Sequence, residues 1–129
     1  MLRYLSSEWL DALNQAASSS APLAHATAGL ALTIQHEVTG GPHGDVVFHV
    51  AIDHGTVTFR PEPAADPDVV FRQDHATAVA IGRGQSSAQV AFMVGKLRIT
   101  GNVERLVDEV SAFEQLNDVF ESVRASTEY

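Results

Sequence analysis

Six histidines are the residues of this chain most able to do chemistry. His25, His43, His54 and His75 fall in expected loops, turns or a helix start, and His49 on the polar side of an expected strand. No pair has the His-x-x-x-His or His-Glu-x-x-His spacing that sets two imidazoles on one helix face, so no metal site is expected. Cysteine is absent, which removes thiolate catalysis, disulfides and Cys-ligated zinc together. The serine runs 18–20 and 86–87 lack the Gly-x-Ser-x-Gly setting of a nucleophile and read as linker and cap. Gly82-Arg83-Gly84 lacks the further glycine and the Lys-Ser/Thr of a phosphate loop. Asp66 and Asp68 lack the full spacing of a calcium loop and read as solvated. No catalytic residue, metal or cofactor is therefore expected. His36 stands apart because it falls in the apolar phase of its strand. The ordinary reading is a hydrogen-bonded histidine at the strand's rim; the sharper one is a polar contact for a ligand head group. A decarboxylase- or isomerase-like use of His36 is the one enzymatic reading these residues leave.

The elements around these residues follow from apolar spacing. Ser6 or Ser7 caps a first helix over about 6–18, with Trp9, Leu10, Leu13, Ala16 and Ala17 on one face. Residues 19–28, rich in Ala and Ser around Pro22, read as a loose connection with room for a helical turn. Three strands follow. Leu30, Leu32, Ile34 and Val38 alternate with polar residues, as do Val46, Phe48, Val50 and Ile52, with a hairpin loop over 39–45. His54-Gly55 is a two-residue turn that pairs Ile52 with Val57 and Val50 with Phe59. Apolar residues then meet on one face of an antiparallel meander, and the other face is wet. Val69, Val70 and Phe71 form a short buried strand. Asp74 caps a helix over His75–Ile81.

The stretch Ser86–Asn102 packs three elements together. Ser86 or Ser87 can cap a helix whose apolar face holds Ala88, Ala91 and Phe92. Gly95 falls where a left-handed residue ends a helix. From Lys96 the period becomes two, with Leu97 and Ile99 on one side. Gly101 turns the chain and Asn102 is placed to cap a last helix of about twenty residues, roughly 30 Å long. Its stripe is Val103, Leu106, Val107, Val110, Phe113, Leu116, Phe120 and Val123.

The segment Ala91-Phe92-Met93-Val94-Gly95-Lys96-Leu97-Arg98-Ile99-Thr100-Gly101-Asn102 resembles the Ala-Phe-Met-x-Gly-Lys-Leu-x-Ile-x-Gly-Asp signature of the sterol carrier protein type 2 domain family. Asn102 stands where that pattern has Asp. Leu5-Ser6-Ser7-Glu8-Trp9-Leu10 is similar to the opening of small stand-alone bacterial members. The resemblance covers most of the chain. It implies an α+β, two-layer domain over 1–129: a five-stranded, mostly antiparallel or mixed sheet with helices on one face, enclosing an apolar tunnel. The sheet and later helices would occupy 29–125. Such a domain holds a fatty acid, fatty acyl-CoA or sterol-like lipid without catalysis. The tunnel lining expected here is Ile34, Phe48, Val50, Ile52, Phe59, Phe71, Ala88, Phe92, Met93, Leu97, Ile99, Leu106, Val110 and Phe113, with His36, Gln85 and Gln89 at a polar mouth. Spacing alone favours an ordinary filled core, and it is the resemblance that turns the reading to a tunnel; a filled domain would serve as a protein-interaction module.

Composition narrows the partners. The net charge of −8 argues against nucleic acid and against an anionic membrane as a constitutive partner. The N-terminus has no apolar run of signal-peptide or membrane-span length, so neither stable membrane insertion nor export is expected. With no cysteine, a cytoplasmic protein is the expectation. The partner that the resemblance implies is a lipid ligand, with contact to a membrane or an enzyme only in transit.

Overall fold

In the computed structural model, which describes all of residues 1–129, the alternating segments pair as their apolar phases require. The chain runs β1 (Leu2–Arg3), α1 (Ser7–Ser18), α2 (Ala21–Ala26), β2 (Ala31–Gly41), β3 (Gly44–Asp53), β4 (Thr56–Arg60), β5 (Val69–Asp74), α3 (His75–Gly82), α4 (Ala88–Met93), β6 (Leu97–Gly101), α5 (Glu104–Asp108), α6 (Val110–Ser122) and β7 (Thr127–Glu128). The main sheet has the order β4-β3-β2-β5-β6. Only β2–β5 is parallel; the other pairs are antiparallel. This is the α+β, mixed five-stranded architecture expected.

The turn chemistry explains the register. His54 and Gly55 both adopt positive φ (47° and 94°), the geometry of a tight hairpin whose twist matches its strands. Ile52 therefore pairs with Val57 and Val50 with Phe59, and across β2 Ile34 pairs with Val50. The expected 39–45 loop is shorter than read: β2 runs to Gly41 and β3 resumes at Gly44, with the register shifting between Val38 and Gly41. The Gly40 N–H donates to Asp45 Oδ1 at 2.9 Å and holds that irregularity. Asp68, read as solvated, instead starts the parallel pair. Its Oδ2 accepts from the Thr33 N–H at 2.8 Å and its own N–H donates to the Thr33 carbonyl at 2.9 Å.

Three helix starts are capped as their residues suggest: Ser6 accepts from the Trp9 N–H, Asp74 from Thr77 and Ser87 from Val90. Residues 19–28 hold a short helix where the sequence left room for a helical turn. Ser20 caps α2, accepting from the Leu23 N–H at 3.2 Å, and Pro22 sits in the first turn, where its missing N–H costs nothing.

The last helix departs from expectation. It bends at Glu109 (ψ 36°) into α5 and α6. Arg105 donates to the Ala31 carbonyl at 3.0 Å and ties α5 to the sheet's end, whereas α6 packs on α1 and α2. One straight rod cannot serve both attachments. The buried face becomes Ala112, Leu116, Val119 and Val123, and Val103, Val107 and Val110 are left exposed. Asn102 makes no side-chain cap; its N–H donates to the Asp68 carbonyl, and α5 begins without one.

The core lies where α1 and α6 cover β2, β3 and β4. Trp9, Leu10 and Leu13 meet Leu32, Ile34, Phe48, Val50, Ile52 and Phe59, closed by Leu116 and Val119. Each such side chain contributes about 1.5–3 kcal/mol on burial. Asn14 fastens α1 to β4, donating to the Phe59 carbonyl at 2.9 Å and accepting from its N–H at 2.7 Å. A short parallel pair of β1 with β7 joins the two ends of the chain, and no sequence pattern announces it.

Candidate apolar ligand site

The apolar face is covered unevenly. Under α1 and α6 it is closed, with Val50 0% exposed. Toward β5 and β6 the cover thins: the cross-strand partners Phe71 and Ile99 are only half-buried, as are Leu106 on α5 and Phe113 on α6, all four packed against the core.

His36 occupies the border between these regions. Its ring lies flat against Phe48, centroids 4.7 Å apart at 3°, with Phe71 and Phe120 edge-on at 5.2 Å and 6.1 Å. The expected rim hydrogen bond is not what surrounds it; its neighbours are aromatic rings. Burial alone pulls its imidazole down to about 4, so it is neutral at pH 7, because an apolar cage disfavours the charged form. A part of its surface still stays open. Gln73 is on the same face, next to Phe71 along β5 and across from Val38 and Leu97. The Gln73 Oε1 and Trp9 Nε1 atoms are buried without a hydrogen-bond partner, and an unpaired buried polar atom asks for an explanation. Trp9 stands edge-on to Phe48 at 5.7 Å and 6.0 Å from Phe120. Three neutral hydrogen-bonding groups thus ring the same aromatic cluster.

The expected tunnel lining divides accordingly. Ile34, Phe48, Val50, Ile52 and Phe59 are packed into the core. Phe71, Ile99, Leu106 and Phe113 border the thin region. Leu97 is buried at the α4 side. Ala88 is half-buried, and Phe92, Met93 and Val110 do not line the interior: Phe92 is 50% exposed, Met93 82% and Val110 55%. The six-residue α4 has room for one inward position, and Ala91 takes it. Gln85 and Gln89 are exposed. Sequence reasoning missed Gln73 and Trp9 as polar members. The period-two phase of Gln73, opposite Leu97, was the available signal.

A hollow of about 330 Å³ lies at the hairpin end of the sheet among Arg3, Tyr4, Val38, His43, His75 and Tyr129. It is mixed in character. Arg3 approaches His43 at 3.5 Å, and burial pushes the Tyr4 phenol well above its usual range. A smaller one of about 140 Å³ lies on the wet face between Arg72 and Arg98. That face is partly roofed by the 61–66 loop. The His49 Nδ1–H donates to the Glu62 carbonyl at 2.6 Å, and Gln35 accepts from the Ala64 N–H at 3.0 Å. No group of His, Asp and Glu is arranged to hold a metal.

The sequence pattern of the SCP-2 sterol transfer family matches residues 10–113. The chain belongs to that family. A comparison with curated proteins gives no significant match. Among solved structures it is similar to sterol carrier protein 2, at 20% identity and TM-score 0.75, covering 92% of this chain and 97% of that one. A candidate sterol carrier protein of Thermus thermophilus is similar at 20% identity and TM-score 0.76, over 95% and 91%. A palmitated SCP2L2 from Aedes aegypti matches at 17% identity and TM-score 0.59, over 89% and 94%. These likenesses establish the fold. Within that SCP-2 fold, no helix is long and apolar enough to cross a membrane.

Proposed function

We propose that this chain binds an apolar or amphipathic lipid non-covalently, without catalysis, and carries it. The ligand class is a fatty acyl chain, fatty acyl-CoA or sterol-like molecule. It would enter at the thinly covered end of the apolar face, between Phe71 and Ile99 below and Leu106 and Phe113 above. The observation that carries this reading is the composition of that end: a half-open apolar surface beside His36 and Gln73, two neutral polar groups that the fold leaves without partners. Membership of a sterol transfer family supports it. The driving force is burial, about 0.8 kcal/mol for each methylene removed from water, so few directional contacts are needed. His36, Gln73 and Trp9 would orient the polar end. Native mass spectrometry of the purified protein before and after delipidation tests the proposal. Bound lipid that returns on incubation with a fatty acid is the expected result. Protein that is lipid-free as purified and takes up no lipid afterwards would overturn it.

A second reading is favoured by one observation, the closed packing around Val50 and Ile34. A domain filled throughout would act as a protein-interaction module. Failure of the lipid experiment would leave that reading standing.

A further inference from the structure

Charge and apolar exposure are concentrated in one part of the molecule. Between Asp74 and Glu104 the chain contains no acidic residue and three basic ones, Arg83, Lys96 and Arg98; the rest holds five basic and sixteen acidic residues. None of the three is ion-paired, since the salt bridges of this fold are His54–Asp53, Arg72–Glu37 and Arg124–Glu121. The same stretch exposes five of the large apolar side chains, Val103 and the group Val90, Phe92, Met93 and Val94. The last four sit on α4 and its C-terminal corner. The Lys96 N–H donates to the Ala91 carbonyl at 2.8 Å and the Gly95 N–H to Phe92 at 3.1 Å, with Gly95 at φ +80°. This doubly bonded left-handed turn holds the corner in place. Beyond it, β6 is the edge strand, and Arg98 faces Arg72 across the ladder with only Arg72 neutralised, by Glu37 at 2.6 Å.

Arg83 lies over the Tyr129 ring at 5.8 Å, whereas Lys96 and Arg98 have no salt-bridge partner. Exposed apolar side chains with unpaired cations next to them in the chain suit one environment, the boundary between acyl chains and anionic head groups. We infer that the α4–β6 corner is a docking tip for an anionic lipid bilayer, with Phe92, Met93 and Val94 entering the interface and Lys96, Arg98 and Arg83 facing phosphates. A second copy of the chain is a poorer occupant, because a twofold contact would set these cations against themselves. The net charge of −8 does not forbid docking, since charges more than about 10 Å away are largely screened at 0.1 M salt. Asp74 is an acid that feels Lys96, and its carboxylate is already engaged by the Thr77 N–H. This inference stands whether or not the apolar face carries lipid.

Vesicle co-sedimentation at about 0.1 M salt tests it, with phosphatidylcholine alone and with phosphatidylcholine containing phosphatidylglycerol. Binding is expected to the anionic vesicles and to fall steeply at about 0.5 M salt. Lys96→Glu with Arg98→Glu should weaken it at least about 25-fold, about fivefold for each cation lost. Met93→Asp should abolish it, with the melting temperature unchanged because the side chain is exposed. Arg60→Glu, on the opposite sheet edge, should bind as the parent does. Absence of binding to anionic vesicles would overturn the inference, and so would equal loss in Arg60→Glu. A dimer dissolved by Met93→Asp, or a protein rather than vesicles as the partner, would overturn it too.

Discussion

Placing one phenylalanine at two points of the apolar face distinguishes its closed part from its open part. Val50 is fully buried in the strand centre, with Ile34 and Phe59 as cross-strand partners. A ring there enters close-packed space, and Val50→Phe should cost roughly 1–3 kcal/mol. For a domain of this size 1 kcal/mol is worth about 3–6 °C, so the midpoint should fall by roughly 3–18 °C. Ile99 is half-buried opposite Phe71 at the thin end. The larger ring there can extend into the uncovered region, and the delipidated protein should change by less than about 1 kcal/mol. The ligand response reverses the order. A lipid at a hundred times its dissociation constant adds about 2.7 kcal/mol to stability. The parent should gain a corresponding rise in melting temperature. Val50→Phe should retain most of it, and Ile99→Phe should lose most of it. Thermal unfolding of delipidated protein, with and without a saturating fatty acid, reads both effects. If both variants are strongly destabilised and the parent gains nothing from any lipid, the layer is filled throughout and the reasoning fails.

The remaining predictions concern the parts that set the site in place. Gly95 has positive φ, and nothing lies within 4 Å of where a Cβ would stand. Gly95→Ala should therefore cost about 1 kcal/mol from backbone conformation alone and Gly95→Asn less; equal melting points for the two would contradict this. At Gly101 a methyl would press on the Asp68 carbonyl as well as oppose φ +94°, so Gly101→Ala should be the more damaging of the two alanine variants in urea unfolding. Asn14→Leu leaves the Phe59 N–H and carbonyl unpaired and should cost about 1–3 kcal/mol, with faster amide exchange along β4 as its local signature. His36 titrates near 6.5 when unfolded and near 4 when folded. Stability should therefore decline as pH falls through that interval, by on the order of 3 kcal/mol at most. His36→Phe should show a shallower decline, and identical pH profiles would show that folding leaves the His36 imidazole's titration unchanged.

The strand phases, the His54-Gly55 turn and the Gly95 corner were legible because each depends on neighbours within a few residues. Two alternations matching across one tight turn leave a single register, and a left-handed helix end is written in a glycine. The family signature was legible for the same reason, since helix, corner and strand are contiguous there. The apolar face of the sheet was therefore determined by sequence. How that face is covered was not. An apolar residue at helical spacing has an apolar side but no stated partner, so Phe92 and Met93 read like Leu116 although they face solvent. The bend at Glu109 arises because α5 is tied to Ala31 and α6 to α1 and α2, attachments to parts of the chain far away in sequence. The parallel pairing of β2 with β5 joins Thr33 to Asp68 through a carboxylate that sequence spacing assigned to solvent. His36 shows the division most clearly. Its phase placed it on the apolar face, but only the packing of Phe48, Phe71 and Phe120 decided that it is neutral, caged and unpartnered. Local periodicity specifies which side of an element is apolar; the tertiary structure alone decides what, if anything, covers it.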